Sequence, residues 1–445
     1  MSGVFSGEHV VVVGAGIAGA SAARVLAAEG AEVRVTEART GLPAAAELRT
    51  DGIEVLDGGH APAHLEGATL VVTSPGVPPQ APVLAWAVER GLPLWGEMEL
   101  GARLAQAPYV AVTGTNGKTT TTGMLTACLQ AGGIRAVACG NIGNPFPAAA
   151  QGPHEALVVE VSSFQLEVQS SFRPRVSVLL NLAPDHLDRH VSFEGYAAAK
   201  ARVFALQGDG DAHVGNRDDE AAAALSATAQ CEVRWFTLGE PAADEVGFVR
   251  GRLVAGWSGA ELGATDPDTP AMRADAAAGA AAAHTFGVDD EAIAAGLRAF
   301  VPERHRGETV AVVGGVRFVD NSKATNPHAT LAAVGDATGV VLIAGGDAKG
   351  VDLAPIGALA PRLIAVVALG ASAPEVTEIF EGRVTVRTVG SIERAVATAF
   401  ELAPQGGTVL LAPACASWDM FRDYVERGER FAAAARALRK EDVRT

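Results

Sequence analysis

Residues 110–123 read Val-Ala-Val-Thr-Gly-Thr-Asn-Gly-Lys-Thr-Thr-Thr-Thr-Gly. The apolar run ending at Val112 reads as a buried strand. Gly114 and Gly117 then permit a tight turn, and a helix can start at Lys118. Such a loop aims several backbone N–H groups into one small volume at the positive end of a helix. The phosphates of a nucleoside triphosphate fit there, with Lys118 on the outer phosphates and the Thr119 hydroxyl on Mg²⁺. The spacing differs from the common G-x-x-x-x-G-K-[ST], because position 112 is Val and the first glycine is Gly114. An ordinary strand-to-helix turn would need neither the lysine nor the run of hydroxyls.

Working outward, a chain of 445 residues exceeds one core, so two or three domains are expected. It is 49% hydrophobic and only 5% aromatic, which suits Ala-, Val- and Leu-based helices on parallel sheets. A net charge of −16 argues against a nucleic-acid partner, whose phosphate backbone demands clustered Lys and Arg. Cys128, Cys139, Cys231 and Cys415 form no CxxC pair, so buried thiols in a reducing cytoplasm are expected. No basic segment followed by an apolar core opens the chain, so a secretory signal is not expected. The apolar stretch 274–283 is mostly alanine with Asp275 inside it, and reads as a helix of a soluble protein.

Upstream, Val10–Val13 runs into Gly14-Ala-Gly-Ile-Ala-Gly19, a helical pattern to Ala28, and a second strand at Glu32–Thr36 with Glu37 at its end. This is a βαβ unit with a GxGxxG turn, a motif that is weak alone. A further strand, Thr69–Thr73, leads into Ser74-Pro75-Gly76. Prolines at 75–82 and Pro93 place a boundary near residue 96. Downstream of the phosphate loop, strands are expected at Ala156–Glu160 and Val176–Leu180. The stretch 207–270 is rich in Gly, Asp and Pro and reads as a variable, partly β lobe. An Ala-rich helix over 272–286 follows. A second alternating β/α pattern begins near Glu303, with strands at Val310–Val313, Arg317–Val319, Val340–Ile343, Leu363–Leu369 and Gly407–Leu411. The expected domains are therefore 1–96, 97–302 and 303–445. The fold class is α/β: three doubly wound, Rossmann-like domains, the central one a P-loop mononucleotide-binding domain.

Glu160 ends a buried-looking strand near the phosphate loop, where a hard oxygen ligand suits Mg²⁺. His186 and His190 are four apart, as zinc ligands on a helix would be. The H-E-x-x-H glutamate is missing, however, and Pro184 makes Asp185 and His186 a turn or first-turn pair. His186 near Mg²⁺ and an incoming nucleophile fits better. Lys200 alone reads as a solvated helix lysine.

The order of phosphate loop, acidic strand tip and a third region rich in strand-end Lys, Ser and Asp resembles the Mur ligases. These are ATP-dependent amide-bond ligases of peptidoglycan precursor synthesis. The resemblance covers nearly the whole chain. Its most specific words are Ser162-Ser-Phe-Gln-Leu-Glu167, Asp185-His-Leu-Asp-Arg189, Asn321-Ser-Lys-Ala-Thr-Asn326, Gly345-Gly-Asp-Ala-Lys349 and Pro413-Ala-Cys-Ala-Ser417. They resemble the family members that join D-glutamate to UDP-N-acetylmuramoyl-L-alanine through an acyl phosphate and a tetrahedral intermediate.

The resemblance implies a UDP site at Gly14, Ala15, Gly16, Ile17, Ala18 and Gly19 with Glu37 and Arg39, the diphosphate meeting Ser74, Pro75 and Gly76. Asn141 and His186 would lie near the alanyl end of the substrate and the metals. Gly114, Thr115, Asn116, Gly117, Lys118, Thr119 and Thr120 would hold the ATP phosphates, and Asp275, Arg306 and Asn321 would contact the rest of the nucleotide. Two Mg²⁺ ions would be held by Thr119, Glu160, His186 and a carbamylated Lys200. Lys118, Glu160, His186 and Lys200 would then be the catalytic set. Lys323, Thr325, Lys349, Ser417 and Tyr424 would bind D-glutamate. A cytoplasmic monomer acting on small molecules, with no membrane span, is expected.

Two positions depart from the family pattern. Asp275 stands where an adenine-reading asparagine is expected, and an ionised carboxylate cannot donate a hydrogen bond. Asn321 stands where an aspartate is expected near the ribose, with Asp320 one place earlier. Three rivals remain on the sequence. A dehydrogenase would rest on the GxGxxG turn alone. A folylpolyglutamate synthase-like ligase would need no UDP-binding domain. A non-catalytic nucleotide-gated protein would accommodate Asp275 and Asn321.

Overall fold

The computed structural model describes residues 3–263, 265, 269–335 and 337–438. Two compact units divide the chain: one comprises residues 1–181, 197–263 and 275–300, the other 182–196, 264–274 and 301–445.

The first unit holds two sheets. Strands β1 (His9–Val13), β2 (Glu32–Glu37), β3 (Glu54–Asp57), β4 (Leu70–Thr73) and β5 (Leu94–Gly96) form a sheet in the order β3-β2-β1-β4-β5. Every pairing in it is parallel. The order reverses between β1 and β4, the point at which an open α/β sheet leaves a crevice for ligands. β1 is four valines after His9, and all four are buried, as a strand covered on both faces requires.

The second sheet contains β6 (Tyr109–Thr113), β7 (Ala136–Gly140), β8 (Ala156–Glu160), β9 (Val176–Leu179), β10 (Ala212–Asn216), β11 (Glu232–Phe236), β12 (Val246–Val249), β13 (Arg252–Ala255) and β14 (Glu261–Gly263). Among the described residues its order is β14-β13-β12-β11-β10-β9-β6-β8-β7. The partly β stretch expected at 207–270 supplies β10 to β14 of this sheet. β10 pairs in parallel with β9, and β12 to β14 continue the same sheet as an antiparallel meander. Short strands broken by Gly and Pro concealed this continuity, because pairing partners lie far apart in sequence. In the register of β6, Val112 faces Glu160 of β8, and Thr113 faces Leu179 of β9. The strand that launches the phosphate loop is therefore flanked by Glu160 on one side and by the chain leading to Asn181 on the other.

Helix Lys118–Ala131 follows the loop, and helix Asp290–Ala299 packs against it. The close approach needs Gly296, since a Cβ there would lie 2.4 Å from the Cys128 Cα.

In the other unit, β15 (Glu308–Val313), β16 (Val316–Asp320), β17 (Val340–Ala344), β18 (Leu363–Ala368), β19 (Thr385–Thr388) and β20 (Thr408–Leu411) form a sheet in the order β15-β16-β20-β17-β18-β19. Only the β15–β16 hairpin is antiparallel. Alternate residues of β17 and β20 point to opposite cores: Val341, Ile343 and Val409 to one, Leu342, Ala344 and Leu410 to the other. The strand ends that carry Asn321, Gly345 and Pro413 consequently emerge side by side.

Candidate active site

The phosphate loop is built by its glycines. Gly114 has φ +154° and Gly117 φ +85°, both in the region that favours glycine. A Cβ on Gly117 would lie 2.0 Å from Asp275 Oδ1, and one on Gly114 2.8 Å from Leu180 Cβ. The loop is also propped from below. Asn181 accepts from Thr115 N through its backbone carbonyl (3.0 Å) and from Asn116 N through its side-chain oxygen (2.9 Å), and its amide donates to Asn116 O (3.1 Å). Lys118 Nζ donates to Gly114 O (3.0 Å) and Thr115 O (2.9 Å). Thr119 and Thr120 are buried at the start of the helix. Asp275 accepts from the Thr121 hydroxyl at 3.2 Å, so its carboxylate packs against the first turn of the helix that follows the loop.

Glu160 is 3% exposed at the tip of β8. Its Oε1 accepts from Asn141 Nδ2 at 2.9 Å, whereas its Oε2 is buried without a hydrogen-bond partner among the described residues. A buried carboxylate oxygen left unpartnered is costly, and a divalent cation with hard-oxygen preference is what it fits. Asn141, expected near the alanyl end of the UDP substrate and the metals, sits on this carboxylate. Lys200 is not the solvated lysine that the residues alone suggest. It is 1% exposed, and its Nζ donates to Gly114 O at 2.7 Å. The alanines around it let helix Phe193–Ala201 pack tightly enough to bury the side chain under the loop. Among the described residues no group of three or more His, Cys, Asp and Glu side chains could hold a metal unaided, which leaves the zinc reading of His186 and His190 without support.

In the first sheet, the glycine turn after β1 divides its labour. Gly14 has φ +95°, a Cβ on Gly19 would lie 2.0 Å from Gly14 O, and Gly16 faces open space. Turn, close packing and room for a ligand are thus assigned to different glycines. Ala15 N donates to Glu37 Oε2 at 2.7 Å, and Arg39 donates to Glu37 Oε1 from its backbone and its guanidinium. Burial opposes the Glu37 charge, but these donors outweigh it and hold the carboxyl below its usual range. Ser74 packs beside Gly14, and Val77 N donates to Ser74 O, so Pro75 and Gly76 form a turn facing outward. Ala18 is half-buried, while Ile17 at the helix start is 80% exposed.

In the other unit, Asp185 gathers a cluster that sequence reasoning did not assign. Its Oδ1 accepts from Lys349 Nζ and from His186 N (2.9 Å), and its Oδ2 accepts from Asn326 Nδ2 (3.1 Å). Burial again opposes the charge, but the cations and donors hold the carboxyl below its usual range. His186 has φ +53° and caps the short helix Leu187–His190. The Lys349 loop is tied to the Ser417 loop by reciprocal Asp347–Ala416 backbone bonds of 3.0 and 2.8 Å. Lys323 Nζ lies 3.8 Å over the Tyr424 ring, and Thr325 N donates to Lys323 O. Arg306 is half-buried with its Nε 3.7 Å from Glu303, and Asn321 N donates to Leu411 O. Lys323, Thr325, Lys349, Ser417 and Tyr424 are therefore all carried by strand-end loops of one sheet and the helix beside it. Asp185 and Asn326 lay within quoted polar words and Asn181 at the end of an expected strand, but their partners are distant in sequence.

Three family models match in chain order: "Mur ligase MurD-like, N-terminal domain" over residues 8–96, "Mur ligase middle domain" over 112–261 and "Mur ligase, glutamate ligase domain" over 305–415. This chain belongs to the Mur ligase family. The Mur ligase is 45% identical to a UDP-N-acetylmuramoylalanine–D-glutamate ligase of Frankia casuarinae, over 97% of this chain and 95% of that protein. It is 43% identical to the protein of the same name from Streptomyces coelicolor, over 98% of this chain and 100% of that one. Among solved structures it resembles the UDP-N-acetylmuramate-alanine ligase MurC of Thermotoga maritima, with a TM-score of 0.62 at 18% identity, covering 96% and 99% of the two chains. No described helix of the Mur ligase is long and apolar enough to cross a membrane.

Proposed function

We propose that this Mur ligase joins D-glutamate to the terminal carboxylate of UDP-N-acetylmuramoyl-L-alanine at the expense of ATP. The observation that carries the reading is full-length similarity to ligases of that name, together with a glycine-shaped phosphate loop beside an unpartnered buried carboxylate oxygen. Residues 1–96 bind the UDP end, 97–302 bind ATP and 303–445 bind the amino acid.

A carboxylate is a poor electrophile, and transfer of the ATP γ-phosphoryl group onto it supplies a leaving group. The amine of D-glutamate then attacks the acyl carbon, and a tetrahedral intermediate collapses with loss of phosphate. The chain's task is mainly positioning and electrostatics. Loop N–H groups and Lys118 draw the triphosphate together. Asn181 fixes the loop that does so. Thr119 and Glu160 are the groups that fit Mg²⁺, which when bound offsets the charge of a carboxylate meeting a triphosphate. Lys200 fits the same role as a carbamate: the new carboxylate is a hard oxygen donor, and the carbamate N–H can still serve the Gly114 carbonyl. Asp275, Arg306 and Asn321 belong to the nucleotide contacts, and His186 to the amine. Lys349, Lys323, Thr325, Ser417 and Tyr424 receive the two carboxylates of D-glutamate, which need more than one donor group.

The test is phosphate release measured across muropeptide acceptors and D- and L-amino acids. Turnover that requires both UDP-N-acetylmuramoyl-L-alanine and D-glutamate supports the reading. Equal turnover with another acceptor, or with L-glutamate, would overturn it.

A further inference from the structure

Arg427 is the largest fully buried side chain among the described residues, at 1% exposure, and it lies outside the mechanism above. It sits in the first turn of helix Tyr424–Ala437. Its guanidinium bridges two loops. Nε donates to Ser322 Oγ at 3.0 Å and Nη2 to Ser322 O at 2.8 Å. Nη1 donates to Cys415 O at 3.1 Å and Ala416 O at 3.3 Å. Ser322 precedes Lys323, and Ala416 precedes Ser417. The bonds therefore end on the residues next to two of the proposed amino-acid ligands.

None of these acceptors is a carboxylate. The nearby Asp320 is engaged with His305 Nδ1 (2.7 Å) and Ser322 N (2.9 Å), and Asp419 accepts from Ala371 N (2.7 Å). Burying a guanidinium on neutral carbonyls and a hydroxyl is expensive, so the arrangement calls for a reason beyond stability. Burial lowers the Arg427 pKa to about 10, which leaves it a cation at neutral pH. The helix is admitted to this depth by Gly428, where a Cβ would lie 2.3 Å from His305 Nδ1. Ser322 Oγ passes the connection on by donating to Tyr424 O at 2.7 Å. Acceptors on two loops, met separately by Nε, Nη1 and Nη2, suit a guanidinium fork and not an ammonium.

We propose that Arg427 is a positioning residue of the amino-acid site: its fork locks the 320–325 and 413–417 loops in the register that aims Lys323, Thr325 and Ser417 at the incoming amino acid. The proposal rests on the reading of D-glutamate as that amino acid.

The experiment compares Arg427→Lys and Arg427→Met with the unmodified enzyme by phosphate release, with KM measured separately for D-glutamate, ATP and the UDP substrate. Losing one charge-assisted hydrogen bond predicts a D-glutamate KM raised about 10-fold in Arg427→Lys, and losing the whole fork about 100-fold or more in Arg427→Met. The KM for the UDP substrate should stay within about twofold, and that for ATP should rise clearly less than that for D-glutamate, because of the nucleotide contacts only Asn321 shares the 320–325 loop. Should either variant fail to fold by thermal melting, Ser322→Ala removes the Nε contact and the Oγ–Tyr424 O bond while leaving the Nη contacts, and predicts a rise of about 10-fold in the D-glutamate KM. An unchanged D-glutamate KM in a folded variant, or equal changes in all three constants, overturns the proposal. If the unmodified enzyme itself shows no D-glutamate-dependent turnover, the functional reading falls instead.

Discussion

Glu160→Gln should make the empty enzyme more stable and nearly inactive. Glutamine keeps the side-chain shape and retains an oxygen for the Asn141 amide, whose bond is 2.9 Å, while deleting the charge. The Oε2 position is buried and unpartnered, so the carboxylate is destabilising until a cation arrives. An unpaired buried charge costs more than the unpaired neutral amide that replaces it, by roughly 1 kcal/mol or more, so the metal-free variant should melt a few degrees higher, at about 2 °C per kcal/mol for a chain of this size. Turnover should fall about 10²–10³-fold, the scale of removing one preorganised electrostatic group. Differential scanning calorimetry with and without Mg²⁺ and ADP supplies the decisive comparison. The natural enzyme should gain stability on adding both, in proportion to ligand binding, and the variant should gain much less. Turnover within about threefold of normal would refute the reasoning. So would a metal-free variant that melts several degrees lower, since Glu160 would then be a structural acceptor.

Three further outcomes follow from the same geometry. Lys200→Ala should lose most activity, and added acetate should restore part of it in a phosphate-release assay; full activity without additive would remove the carbamate. Lys349→Met should destabilise the protein by about 3–5 kcal/mol, because Asp185 is left charged and buried, and Asp185→Asn in the same chain should recover that stability in urea unfolding while the D-glutamate KM stays raised. Glu97 is fully buried with both oxygens on the Gln165 amide, and burial pushes its pKa up to about 7. A carboxyl whose folded pKa is raised binds extra protons in the folded state between pH 4.5 and 7, so its contribution to stability falls as pH rises through that window. Glu97→Gln should therefore stabilise more at pH 8 than at pH 5, by up to about 3 kcal/mol in urea titrations.

The valine runs of β1, β6 and β17 were legible because strands buried on both faces read as continuous apolar stretches. The phosphate loop was legible because its glycines, lysine and hydroxyls are adjacent in sequence. What escaped was whatever depends on partners far along the chain. Lys200 looks like any lysine in an alanine-rich helix until Gly114, 86 residues earlier, is placed over it. Asp185 gains its meaning from Lys349, 164 residues later, and Arg427 from Ser322. The β10–β14 extension escaped for the same reason, since short broken strands carry no mark of the sheet they join.

The posture of Lys118 turns nucleotide capture into an exchange reaction. Its ammonium already donates to the carbonyls of Gly114 and Thr115, at 3.0 and 2.9 Å. An arriving triphosphate must win that ammonium from the loop's own oxygens. A strong, multiply charged anion can do so; a chloride or an acetate offers too little in return. The loop's own carbonyls thus set the threshold of charge that a ligand must bring to draw this lysine away.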